Sequence, residues 1–254
     1  LFFSYYLLIN KRFHLSAISI SIAMLCKSNV LVALPLIIIY LLKNTKFQNL
    51  LIYCAIIILS YFIISYPFIT TSGYQFFVLN NPEQSLIFST FQIIANKKFL
   101  WVVAILIILY GRFYYYSKIN ESLLIDFINL SFIILLTLTY PIPAWYVWIV
   151  PFVSIYFLDS DDISHYKALI LFYLFILLYL AYSIFVFLHP FQENGYFVDI
   201  IFLNNPIDLK YHFSSKANNL IFTTLNTIIL IFALLIFQKS IKKNITYRYK
   251  NLIN

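Results

Sequence analysis

Residues 49–66 read NLLIYCAIIILSYFIISY and carry no charge over eighteen positions. As a helix rising 1.5 Å per residue the stretch is about 27 Å long, close to the roughly 30 Å of hydrocarbon in a bilayer. Its apolar residues follow neither the period of a surface helix nor that of a half-buried strand. A backbone exposed to lipid must satisfy its own hydrogen bonds, so such a block is expected to be a transmembrane helix.

Similar blocks recur along the chain. Hydrophobic residues make up 63% of the 254 positions and charged residues 10%, where a soluble domain is roughly half apolar and a quarter charged. The expected fold is therefore all-α: a polytopic transmembrane helix bundle of about eight spans plus a partial N-terminal helix. The partial helix falls at 1–9, and the spans fall near 13–26, 29–42, 49–66, 99–116, 122–139, 143–158, 166–188 and 218–238. The first two spans are short, about 14 residues or roughly 21 Å each. They read either as two half-length helices meeting at Lys27 or as one long kinked helix, with the basic residues slightly favouring the hairpin. Residues 1–238 form the expected membrane domain and 239–254 a basic cytoplasmic tail. The sequence begins at Leu1 inside an apolar run and its only methionine is Met24. The expectation is a C-terminal portion of a longer protein, inactive by itself.

The net charge of +8 would suggest nucleic acid in a soluble protein. Here the cations lie mostly in short connections and in the tail KSIKKNITYRYK, where membrane orientation accounts for them better. The tail with Lys239, Lys242, Lys243, Arg248 and Lys250 is expected inside the cell, at the plasma (inner) membrane. So are the connections 43–48, 111–121 and 159–165, and on the hairpin reading Lys11 and Arg12. The turn at Lys27, the long loop 67–98, the turn TYPIPAWY and the loop 189–217 then face outward. An interfacial amphipathic helix is expected within 74–96.

Cys26 and Cys54 both sit in apolar runs, which argues against a disulfide framework. No Gly-rich phosphate loop, GxSxG, HExxH or CxxC occurs, and no cofactor or metal is expected. The histidines lack ligand spacing. The triplet of Asp159, Asp161 and Asp162 lies in a short turn on the expected inner side.

Four features carry candidate chemistry. Lys27 is an ionisable group at membrane depth, and such groups mark functional sites. Its natural partner is a phosphate held as a point charge, although a lysine at a helix end also snorkels to the interface. In YPIPAWYVWIVPF (140–152), Pro141 and Pro143 force a rigid turn. Trp145, Tyr146 and Trp148 follow it, either as an aromatic belt or as a stacking platform for a sugar ring or headgroup. In VLNNPEQS (78–85), Asn80, Asn81, Glu83 and Gln84 form a polar group suited to sugar hydroxyls, or a solvated turn. His189 and Glu193 are weaker candidates, and a lone His at a helix end is most often a cap.

The run AMLCKSNVLVALPLIIIYLLK (23–43) resembles a stretch of GT-C polytopic glycosyltransferases in Lys27 and in Leu34–Pro35. The run 140–152 resembles their late-helix pattern in Trp145, Tyr146, Trp148 and Pro151. The closest likeness is to mannosyltransferases dependent on a polyprenyl-phosphate sugar. The resemblance implies an inverting hexosyltransferase that moves a mannose-like sugar from a polyprenyl-phosphate donor to a lipid or glycan acceptor at the outer face. It implies substrate binding by Lys27, Glu83, Gln84, Trp145 and Tyr146, with membrane lipids as further partners and no nucleic acid. The family's acidic catalytic motif has no counterpart here, so the catalytic base is unassigned and expected before Leu1. Two other classes compete. A flippase for lipid-linked oligosaccharides would need charged residues lining a cavity, and an O-antigen polymerase or ligase would show arginines on the outer side.

Overall fold

The computed structural model describes residues 1–75, 91–94, 97–139, 143–151, 154, 164–183 and 215–253. These are almost entirely helical. The chain divides into two units, residues 1–139 with 240–254, and residues 140–239.

In the first unit α1 (Phe2–Ile9) turns through Asn10–Arg12 into α2 (Phe13–Cys26). A 3₁₀ segment, Ser28–Ala33, leads into α3 (Leu34–Asn44), and α4 follows over Phe47–Ser65. After a single helical turn at Ser72–Tyr74 comes a hairpin of β1 (Phe91–Ile94) and β2 (Lys97–Leu100). Its strands are antiparallel, with Phe91 opposite Leu100. Of the stretch 74–96, within which an interfacial helix is expected, residues 76–90 lie outside the described residues and 91–94 form a strand. Short runs rich in Phe and Ile pair readily as strands. Helices α5 (Trp101–Tyr115) and α6 (Glu121–Leu138) follow, and residues 240–254 also belong to this unit.

The helix ends follow from local chemistry. Asn120 caps α6, its side-chain oxygen accepting from Leu123 N–H at 2.7 Å, which satisfies one of the free donors of the first turn. Pro35 lies in the first turn of α3. There it loses no intrahelical bond, whereas within one continuous helix it would break the ladder. Ser28 and Asn29, which compete for backbone bonds, stand at the interruption.

A seam of hydroxyls joins α1, α2 and α4. Ser4 Oγ donates to Ser16 O at 2.9 Å, and Ser16 Oγ donates to Ser4 O at 2.8 Å. Ser16 Oγ also lies 3.2 Å from Tyr53 OH. Further along, Ser21 Oγ donates to Ile57 O at 3.1 Å and receives Ser60 Oγ at 2.8 Å. The order matters. Ser16 meets Tyr53 and Ser21 meets Ile57 and Ser60, so α2 and α4 run parallel. The 3₁₀ segment and α3 must therefore return the chain from one end of α2 to the start of α4, and the reversal is at Lys27.

Helix α5 runs beside that returning segment. Tyr110 OH donates to Val32 O at 2.9 Å, and Lys43 Nζ donates to the carbonyls of Tyr114 and Tyr116. Val102 and Leu106, on the first two turns of α5, pack with Leu135 near the end of α6, so α5 and α6 are antiparallel. The unit consequently has two ends. One carries the connections Asn10–Arg12, 45–46 and 116–120. The other carries Lys27, the segment after Ser65 and the hairpin.

The second unit contains a helical turn at Pro143–Tyr146, a 3₁₀ turn at Val147–Ile149 and α7 (Ser164–Ala181). It also contains the first part of α8, a helix of 39 residues over Ser215–Ile253. The expected basic tail is thus a helical continuation of the last apolar stretch.

Among the described residues three helices are long and apolar enough to cross a membrane: Phe47–Ser65, Glu121–Leu138 and Asn219–Lys239. The segments Phe13–Cys26, Ser28–Asn44, Trp101–Tyr115 and Leu169–Ala181 are apolar but shorter. The exposure of α4 fits lipid as its solvent. Ile63 is 71% exposed and Leu59 60%, a face that would be a liability in water.

Candidate functional site

Lys27 occupies the reversal between α2 and the 3₁₀ segment. Its backbone is extended, with φ −155° and ψ 112°, and it bridges both elements. Its N–H donates to Ala23 O at 3.0 Å, and its carbonyl accepts from Val30 N–H at 3.1 Å. The residue is half-buried. Two positions on, Asn29 is almost fully enclosed, and its Nδ2 is buried without a hydrogen-bond partner among the described residues. A cation and a buried amide donor therefore stand two residues apart at the end of the unit that also bears the hairpin. Aromatic residues rim this end. Tyr66 and Phe68 are exposed, and Phe99 and Trp101 meet edge to face at 4.8 Å.

The opposite end of the unit is basic. Lys11, Arg12, Lys46, Arg112 and Lys118 are exposed there, and Lys43 is half-buried. Asn44 Nδ2 donates to Ile119 O at 3.0 Å, tying the α3–α4 connection to the α5–α6 connection.

In the second unit Trp145 and Tyr146 are both covered, at 2% and 1% exposure. Trp145 stacks on Trp148 with centroids 5.4 Å apart and planes 11° from parallel. Tyr146 meets Tyr179 at 6.1 Å and Tyr182 at 5.6 Å, both edge to face. Its hydroxyl donates to Asn226 Oδ1 at 3.4 Å, and Asn226 Nδ2 in turn donates to Phe222 O at 3.0 Å. Tyr146 thus pins the proline turn to α7 and α8. In this structure the two rings are interior groups.

Glu83 and Gln84 lie outside the described residues, as do Asn80, Asn81, Asp159, Asp161, Asp162, His189 and Glu193. Among the described residues no cluster of three His, Cys, Asp or Glu side chains is placed to hold a metal ion.

Sequence reasoning passed over several buried polar residues. Besides Asn29 and Asn226, these are Asn129 in α6, whose Oδ1 is buried without a partner among the described residues, and the serines of the seam. Asp126 is a half-buried acid within α6. The available signal was each residue's presence inside an apolar run, where burying an unpaired polar group is costly.

No protein-family model, no curated protein and no solved structure matches the chain.

Proposed function

We propose that the chain belongs to a multi-pass glycosyltransferase of the GT-C type in the plasma membrane, with about eight spans. It would transfer a mannose-like hexose from a polyprenyl-phosphate donor to a lipid or glycan acceptor at the extracytoplasmic face. The observation that carries the reading is the position of Lys27. The only lysine in the run 13–42 stands at a chain reversal, at the end of its unit away from the basic connections. If those connections are cytoplasmic, as the Lys/Arg bias directs, Lys27 faces the outer leaflet, where the donor phosphate of such an enzyme lies. A compact ammonium at the edge of a low-dielectric bundle suits a phosphate as a point charge. The outer-loop residues Glu83 and Gln84 are the candidates for the sugar hydroxyls.

The test is the donor KM of the full-length enzyme to which the chain is proposed to belong, reconstituted in vesicles. Loss of one charge-assisted contact costs about 1.5–3 kcal/mol, or roughly 10- to 150-fold. Lys27→Ala should raise the donor KM by that factor while leaving the protein folded, and Lys27→Arg should restore part of it. An unchanged donor KM in Lys27→Ala would assign Lys27 to interfacial snorkelling and remove the observation on which the reading stands.

A further inference from the structure

The basic end of the first unit carries several cations on elements that hydrogen bonds tie to one another. Lys43 Nζ donates to the carbonyls of Tyr114 and Tyr116 at the end of α5 and lies 4.7 Å from the centre of the Tyr114 ring. The Arg112 guanidinium lies 4.9 Å from the centre of the Tyr116 ring. The bond from Asn44 to Ile119 brings Lys46 and Lys118 onto the same two connections. Lys11 and Arg12 sit in the α1–α2 turn, with Lys11 at a φ of 60°. That turn belongs to the same end, because Tyr5 OH donates to Glu121 O at 3.0 Å.

Four of these cations lie in the three connections and two, Lys43 and Arg112, in the last turns of α3 and α5; the acids described at this end are Glu121 and the half-buried Asp126. Lys11, Arg12, Lys46, Arg112 and Lys118 form no ion pair among the described residues. Cations on one surface that form no ion pair among the described residues repel one another, and an external anion offsets that cost. The flanks of the cluster specify which anion. Leu51 and Ile52 on the early turns of α4, and Ile107 and Ile108 on α5, are exposed apolar groups. Tyr114, Tyr115 and Phe47 are exposed at the level of the charges, as interfacial aromatics are. A partner filling both surfaces has an anionic head and acyl chains.

We infer that this end of the first unit binds anionic phospholipid headgroups, with Lys46, Arg112 and Lys118 as the principal contacts and Lys43 as the clasp that shapes the surface. The inference stands on the membrane setting of the helices and is independent of the transferase reading.

The experiment titrates the full chain in neutral detergent with dioctanoyl phosphatidylglycerol, and separately with dioctanoyl phosphatidylcholine, inorganic phosphate and a short oligonucleotide. Phosphatidylglycerol should bind at least tenfold tighter than phosphatidylcholine, and its binding should weaken with salt. A lysine near an anionic surface contributes about fivefold in affinity. Lys46→Gln and Lys118→Gln should each weaken phosphatidylglycerol binding by about that factor, with lipid-free melting temperatures unchanged because both side chains are exposed. Lys98→Gln, on the hairpin at the other end, should leave binding as it was. Equal binding of the two lipids, or undiminished binding in the double variant, would overturn the inference. So would inorganic phosphate or the oligonucleotide binding as tightly as phosphatidylglycerol.

Discussion

Asn29 has its Nδ2 enclosed without a partner among the described residues, and an unsatisfied buried donor costs about 1–3 kcal/mol. Asn29→Leu removes that cost at similar volume. The expected result is a melting temperature raised by about 2–4 °C per kcal/mol recovered, read by thermal shift in detergent. A lowered melting temperature would show that the amide is satisfied in solution and serves packing. Tyr146 behaves in the opposite sense. Tyr146→Phe leaves Asn226 Oδ1 buried without the hydroxyl that now reaches it at 3.4 Å, a loss of about 1 kcal/mol. Tyr146→Ala also empties the space between Tyr179 and Tyr182 and should cost about 3–5 kcal/mol. Equal stability of both variants and the parent would contradict the pin. The sequence exposed Lys27 because a cation in an apolar run stands out on its own. It did not expose Asn29, whose importance lies in enclosure, nor the burial of Tyr146, because an interfacial and an interior tyrosine look alike in composition.

At the scale of elements, helix α2 begins and ends where the apolar block does, at Phe13 and Cys26, and α4 fills the block 49–66 with small shifts at its ends. Length and charge suffice for such boundaries. The 3₁₀ segment before Pro35, the β1–β2 hairpin and the helical continuation through 240–253 were not legible. The first depends on which carbonyls a proline leaves unpaired. The second depends on a pairing partner. The third depends on helix propensity within a charged segment that reads equally as coil. Nor did the scarcity of glycine announce the seam, in which serine hydroxyls replace small-residue contacts between helices. Interhelical hydrogen bonds in bilayers average about 0.6 kcal/mol and reach about 1.7. Ser16→Ala breaks its bonds to Ser4 and Tyr53 together, and should destabilise the protein toward the upper part of that range, measured by unfolding in mixed micelles. Burial sorts the longer helices as well. Ile63 on α4 is open while Leu135 on α6 is wholly enclosed. Leu135→Ala should cost about 2–5 kcal/mol by leaving a cavity, whereas Ile63→Ala should change stability little. Comparable losses would mean that the α4 face is covered.

At the scale of the molecule, the two ends of the first unit give the clearest test of orientation. With Cys26 and Cys54 replaced by Ser, single cysteines at Lys46 and Lys118 should be labelled by an impermeant maleimide only after the membrane is opened, and one at Lys98 should be labelled in intact cells. Labelling of Lys46→Cys from outside would invert the assignment and place Lys27 in the inner leaflet. That the chain forms helices long and apolar enough to cross a membrane was legible from the block 49–66, because hydropathy sums over many residues. Which residues cooperate across helices was not, because that depends on the register of one helix against another.

The hydroxyl seam also bears on how the chain enters lipid during synthesis. Helix α2 has 14 residues, about 21 Å, and falls short of the bilayer core by itself. Ser21 need not wait for a neighbour, since its Oγ already donates to Ala17 O within its own helix at 2.9 Å. Ser4 and Ser16 are twelve positions apart and emerge from the ribosome almost together, while Tyr53 and Ser60 follow some forty residues later. If α2 enters lipid as it is made, Ser21 keeps Ala17 O within its own helix and Ser16 finds Ser4 early, while the contacts to Tyr53 and Ser60 are expected only once α4 has followed.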